Sequence, residues 1–231
     1  VDRAETTEGR ISCWKANAAG PALLARACVE YGVTLVHVSS DYVFDGERTS
    51  HDELEPLSPL SVYGQAKAAG DLAVAGCPSH YIVRSSWVIG DGKNFVRSMA
   101  SLSDRVADAD DGLDHVTVVD DQNGRLTFAD QMAEGIFHLL QEHAPYGTYD
   151  LTGSGRTKSW YEVAIEVFEL RNNNGSAVIP VSTAEYYRGL EGPIALRPRH
   201  STLSLDKLRS IGFAPRDWED ELKEYVARLP R

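Results

Sequence analysis

Between Ala16 and Gly153 short apolar runs alternate with helix-length segments, and this alternation limits the possible folds more than any other property of the chain. Residues 16–31, ANAAGPALLARACVEY, carry Leu23, Leu24, Ala27 and Cys28 at helical spacing and stop at Gly32. TLVHVSS then reads as a short apolar strand, followed by a loop with Pro56 and Pro59 and a helix from Val62 to Ala75. Next come a buried strand at YIVRSSWVIG, a helix at NFVRSMASL and a further strand at HVTVVDD. An amphipathic helix at ADQMAEGIFHLLQEH and a strand at GTYDLTG complete the series. Strands separated by helices pair in parallel, so an α/β architecture with a doubly wound parallel sheet is expected.

After Asp150 the pattern loosens into a helix at SWYEVAIEVFEL, a short strand near AVIPVS, Pro- and Arg-rich turns at GPIALRPRHS and a last helix at WEDELKEYVARL. We expect residues 1–150 to form the sheet domain with the reacting groups and residues 151–231 mainly a smaller lobe, interleaved with it across an approximate boundary. NNNG, residues 172–175, is a turn and not a linker.

Charge narrows the partners. The chain of 231 residues has 23 Lys and Arg against 34 Asp and Glu, a formal charge of -11, with no basic run to track a phosphate backbone. Nucleic acid is therefore not an expected partner, and an anionic ligand needs local cations such as Arg84, Arg197 or Arg199. Cys13, Cys28 and Cys77 are odd in number and widely spaced, without a CxxC pair or zinc spacing, so reduced thiols and no metal are expected. His51 and His115 stand alone, as surface or core histidines do. No apolar run long enough to span a membrane and no signal-peptide pattern is present, so a cytoplasmic location is expected.

One absence is informative. A doubly wound sheet that binds a dinucleotide needs a glycine-rich turn after its first strand, where backbone can approach the pyrophosphate at a helix N-terminus. GDG at Gly90 to Gly92 and GSG at Gly153 to Gly155 lack that spacing and place. The polar opening VDRAETTEGR has no strand, as though the chain enters a domain in its middle, and the expectation is that the turn lies upstream of Val1. Without it the segment is expected to bind dinucleotide weakly and to expose a sheet edge.

The chemistry gathers in two stretches. SSDYVFDG, residues 39–46, follows the strand TLVHV, and in open α/β sheets ligands bind beyond the carboxyl ends of the strands. Tyr63 and Lys67 in YGQAK are one helical turn apart on one face. A phenol is a poor acid and a poor base near neutrality, and a neighbouring ammonium favours its ionised form. With a hydroxyl from Ser40, the trio suits proton transfer to a carbonyl oxygen while hydride arrives from a nicotinamide. A Tyr and Lys at this spacing also arise by chance, and other plain roles remain open. Trp87 fits a core as well as a ligand wall, Tyr42 a strand end, Asp41 a cap, and Arg197 and Arg199 either a diphosphate clamp or exposed salt bridges.

SSDYVFDG, PLSVYGQAKAAGDLAV, RSSWVIG, DDQNGRLTFADQMA and RPRHSTLSLDKL with the closing tryptophan helix, in this order, resemble the dTDP-4-dehydrorhamnose reductase family of extended short-chain dehydrogenases. The opening VDRAE and KANAAGPALLARAC resemble the family's segment just after its third strand. The resemblance implies a Rossmann-like sheet with a small C-terminal substrate-binding lobe. By matching position, it implies that Ser40 is the catalytic hydroxyl, Tyr63 the proton donor, and Lys67 the lysine that holds the nicotinamide ribose and tunes the tyrosine. It implies further that Asp41, Tyr42 and Trp87 line the sugar site and that Val38 lies where the strand backbone meets the cofactor. The implied reaction is reduction of dTDP-4-dehydro-L-rhamnose by NADPH, or NADH in some members, by a monomer or homodimer. Dehydratases of similar fold place Asp-Glu at the strand end; Asp41-Tyr42 lacks the second acid and disfavours dehydration. Epimerisation and a non-catalytic binding role stay open as alternatives.

Overall fold

The computed structural model describes residues 1–108 and 110–230. A 3-10 turn (Asp2–Glu5) and the extended Thr6 precede α1 (Thr7–Trp14), which runs on through one π-helical turn (Lys15–Ala19) into α2 (Gly20–Tyr31), where Gly32 caps the helix at φ 64. In chain order follow β1 (Leu35–Ser40), α3 (Val62–Ala75), β2 (His80–Ser85), β3 (Val88–Ile89), α4 (Phe95–Ala107), β4 (Val116–Val119), β5 (Asn123–Gly124) and β6 (Thr127–Phe128). Then come α5 (Ala129–Gln141), β7 (Gly147–Asp150), β8 (Lys158–Ser159), α6 (Trp160–Asn172), β9 (Val178–Val181), α7 (Thr183–Tyr186), α8 (Asp206–Ser210) and α9 (Trp218–Arg228).

The central sheet is parallel, in the order β1-β2-β7, with Val38 opposite Val83, Ser40 opposite Ser85 and Arg84 opposite Asp150. Side-chain alternation along β2 divides the core. Ile82 packs with Ala25, Val74 and Cys77 under α2 and α3, whereas Tyr81 and Val83 pack with Leu139, Leu151 and Leu208 under α5 and α8. Helices thus cover both faces, as the alternation predicts.

Two expected strands end differently. YIVRSSWVIG breaks after Ser85: Trp87 adopts φ 50, and β3 leaves the sheet to pair with β6. HVTVVDD forms β4, which pairs in parallel with β9 and not with the central sheet. Both departures feed a second core, which joins Ile89, Val96 and Phe128 to Val167, Phe168 and Trp218. The first helix also begins at Thr7, well before Ala16, because Thr6 caps it by accepting from Gly9 N at 2.9 Å.

Helix α3 positions the reacting groups. Ser61 caps it by accepting from Gly64 N at 3.1 Å, and Glu5 Oε1 accepts from Val62 N at 2.9 Å, tying the opening turn to the helix. Gly64 permits close approach: a Cβ there would stand 2.2 Å from the carbonyl oxygen of Tyr42. Ser61→Ala is expected to lower stability by about 1 kcal/mol, the usual value of an N-cap, in a urea titration followed by circular dichroism. A loss under about 0.3 kcal/mol would show that Glu5 alone holds this end.

Candidate active site

The carboxyl end of β1 and the first turns of α3 bring Ser40, Asp41, Tyr42, Tyr63 and Lys67 together. Ser40 closes the strand, and residues 41–43 turn away in a short 3-10 helix that Ser40 caps. The Ser40 hydroxyl donates to Asp41 Oδ1 at 2.9 Å and accepts from Tyr42 N at 3.2 Å. The Tyr63 phenol interacts with the same hydroxyl. The rings of Tyr42 and Tyr63 meet edge to face, with centroids 5.5 Å apart.

Burial governs the electrostatics. It raises the pKa of Tyr63, as does the charge of Asp41, while the Ser40 hydroxyl offsets part of the rise. Tyr42 is raised as well, first by burial and then by Asp41. Burial pushes the Asp41 carboxyl up to about 6, against the Ser201 and Ser40 hydroxyls. Lys67 is lowered by burial, and the carboxylate of Asp71 one turn along α3 pulls it back. Tyr63 is therefore a neutral phenol at rest, the form that gives a proton to an oxygen gaining electron density.

Lys67 Nζ donates to Val38 O at 2.6 Å. The family resemblance places Val38 against cofactor; here its carbonyl anchors the lysine, and its side chain is exposed at the free edge of β1. An ammonium carries three donors, so Lys67 retains two N–H groups beyond this bond. Beside Tyr63 opens a cavity of about 270 Å³ lined by Arg3, Gly9, Ser12, Cys13 and Asn17.

A second cleft of about 190 Å³ is walled by Phe95, Gln122, Trp160, Tyr186, Tyr187 and Arg197. Trp87 stacks face to face on Trp160, centroids 3.7 Å apart, and a Cβ on Gly124 would meet its ring at 2.8 Å. Arg197 bonds Asp2 at 2.8 Å and stands over Tyr187 at 5.1 Å, and the electrostatic influence of Tyr42 reaches it. Arg199 is exposed. Arg84 does not serve an anion: it is buried, with Nε 3.0 Å from Asp71 Oδ2. That corrects the expectation that it is one of the local cations open to an anionic ligand.

Sequence reasoning passed over Asp71, His37, Glu5 and Ser201. The first had a signal, because 63, 67 and 71 continue one helical stripe. His37 Nε2 lies 3.4 Å from Asp71 Oδ1, a contact between a strand and a helix that no local spacing announces. Glu5 and Ser201 likewise reach the site from distant segments.

Against known families, the model described as RmlD substrate binding domain matches residues 1–231. The chain is 33% identical over 241 aligned positions to a dTDP-4-dehydrorhamnose reductase of Aggregatibacter actinomycetemcomitans, covering 98% of this chain and 77% of that protein. It is 33% identical to a dTDP-4-keto-6-deoxy-D-glucose reductase of Streptomyces niveus, covering 95% and 73%. Among solved structures it is similar to the dTDP-4-dehydrorhamnose reductase of Bacillus anthracis in complex with NADP, with TM-score 0.84, 34% identity and coverage of 99% and 77%. A family model that spans the whole chain and relatives a third identical along nearly all of it carry the same conclusion as the Ser40, Tyr63 and Lys67 arrangement: the protein belongs to the dTDP-4-dehydrorhamnose reductase family.

Proposed function

We propose that the protein reduces the 4-keto group of dTDP-4-dehydro-L-rhamnose to give dTDP-L-rhamnose, with NADPH as reductant. The observation that carries this reading is the convergence of the Tyr63 phenol and the Ser40 hydroxyl at the carboxyl end of β1, with the Lys67 ammonium fixed one turn below. The residues present fit the nicotinamide-ribose end of the cofactor. Two Lys67 N–H groups offer donors to ribose hydroxyls, the Tyr63 oxygen offers them an acceptor, and the cavity beside Tyr63 gives the ring a place. Bound there, the cofactor supplies the hydride that adds to the carbonyl carbon.

The chain's own residues manage the oxygen. Tyr63 transfers its phenolic proton to the carbonyl oxygen as the C=O pair becomes an O–H bond, leaving a phenolate. The Lys67 ammonium stabilises that phenolate through space until solvent restores the proton. Asp41 and Tyr42 shape the sugar end. The cleft of Trp160, Tyr186, Tyr187 and Arg197 suits a nucleoside diphosphate, since aromatic faces take a base and a guanidinium takes phosphate oxygens. Trp87 acts as support for this wall through its stack on Trp160. The division of labour is thus a sheet domain, largely residues 1–150, for cofactor and proton, and a lobe, largely residues 151–231, for nucleotide sugar.

Substrate and cofactor of this kind support a cytoplasmic monomer or homodimer that has no nucleic-acid partner. Among the described residues no helix is long and apolar enough to cross a membrane. The Streptomyces niveus relative motivates a second reading, reduction of another dTDP-4-keto-6-deoxy sugar, because the proton machinery itself does not read sugar stereochemistry. NADPH absorbance followed with each sugar in turn separates them. The expected result is consumption that depends on dTDP-4-dehydrorhamnose; faster consumption with the other sugar favours the second reading, and binding without turnover favours a non-catalytic role.

A further inference from the structure

The Ser40 hydroxyl has one proton to give. In the structure it gives that proton to Asp41 Oδ1 and accepts from the Tyr42 N–H, with the Tyr63 phenol close by. Reduction asks for the opposite arrangement, with Ser40 donating to the substrate carbonyl beside Tyr63. Both demands cannot be met at once. We infer that Asp41 is a positioning residue that competes with the substrate carbonyl for the Ser40 proton, and that protonation of Asp41 releases Ser40 to the substrate. The inference rests on the reductase reading above.

The surroundings of Asp41 favour such an exchange. The residue is 3% exposed, and its Oδ2 makes no hydrogen bond of ordinary geometry. A buried carboxylate with one oxygen unpartnered is costly to keep ionised, which agrees with a proton affinity raised to about 6. Once protonated, Asp41 becomes a donor itself, so the Ser40 hydroxyl accepts from it and turns its own proton outward. The groups facing Asp41 are the Tyr42 phenol of its own turn, the Tyr63 phenol of α3, the Ser201 hydroxyl of the C-terminal segment and His51 of the following loop. His51 is fixed by Glu55 at 3.0 Å, by His200 O at 3.1 Å and by a stack on Phe44.

Carbon-13 NMR of aspartate carboxyls reads the Asp41 proton directly and keeps it apart from His51. In the parent protein the Asp41 signal is expected to titrate near pH 6. In Ser40→Ala, the lost hydrogen bond is expected to raise its proton affinity about tenfold. His51→Gln is expected to leave a resolved Asp41 titration in place. The kinetic counterpart is kcat/KM for the ketone, which should fall by about 25-fold as pH rises from about 5.5 to about 7.5 in the parent. In Asp41→Asn, whose amide donates to Ser40 at every pH, it should stay flat within about twofold. An Asp41 midpoint unmoved by Ser40→Ala, or a parent-like profile in Asp41→Asn, overturns the inference; should the Asn variant not fold, the carboxyl midpoints alone decide. Absence of NADPH consumption at any pH removes the reductase reading, and the catalytic role with it, while the midpoints still report whether Asp41 holds the Ser40 proton.

Discussion

Tyr63→Phe is expected to lower kcat for the ketone by about 100- to 10,000-fold, the range that a positioned general acid contributes. The ring stays, and with it the edge-to-face contact with Tyr42 at 5.5 Å, so only the transferable proton is removed. Burial and the charge of Asp41 both raise the Tyr63 pKa, and the phenol is therefore loaded with its proton at neutral pH. Its release then depends on Lys67. That ammonium is held in place by the Val38 carbonyl and kept charged against burial by Asp71. Stopped-flow and steady-state NADPH oxidation, with KM for the sugar measured alongside, separates chemistry from binding. A kcat within tenfold of the parent, with KM unchanged, would sink the role given to Tyr63.

The second large effect concerns the floor beneath the site. Asp71→Ala is expected to destabilise the protein by about 3–5 kcal/mol, because it leaves a buried guanidinium without its partner. The side chains of Arg84 and Asp71 are 6% and 2% exposed, and their contact is 3.0 Å. The acid opposite Arg84 in the strand register, Asp150, cannot easily replace the lost charge. Burial holds its carboxyl well above the ordinary range, and the neighbouring Glu53 adds to the effect. The double replacement Asp71→Leu with Arg84→Met removes both charges and should recover most of the loss. Guanidinium titrations of the parent, the single and the double variant test this; equal losses in single and double variants would show that packing volume, not an orphaned charge, sets the effect.

The sequence made the central architecture and the core of the site legible for a physical reason. Residues 62–75 carry a complete set of local signals: Ser61 before the helix, small residues along it, and the Tyr63 to Lys67 spacing on one face. The helix spans Val62–Ala75 as expected. Alternation of apolar runs likewise pointed to a parallel sheet because burial on both faces leaves strands uniformly apolar. What escaped was non-local. Nothing in YIVRSSWVIG marks the break at Trp87, since its positive φ follows from packing on Trp160, far along the chain. The partner of HVTVVDD was hidden for the same reason. Arg84 stood among the local cations open to an anionic ligand, and only the helix folded over it reveals the acid that takes it, at 3.0 Å. The cleft that holds Arg197 is assembled from five separate stretches, at residues 95–99, 117–122, 160, 186–187 and 197, which no spacing encodes.

Gly64 has a consequence for how this protein can diversify. The backbone of α3 rests directly against the Tyr42 carbonyl, with no room for even a methyl group, so the residues proposed to frame the sugar and to deliver the proton are packed together through one backbone contact. A mutation that shifts the Tyr42 backbone to admit a different sugar is therefore expected to displace α3, and Tyr63 with it. Substrate range and turnover are mechanically linked at this end of the cleft.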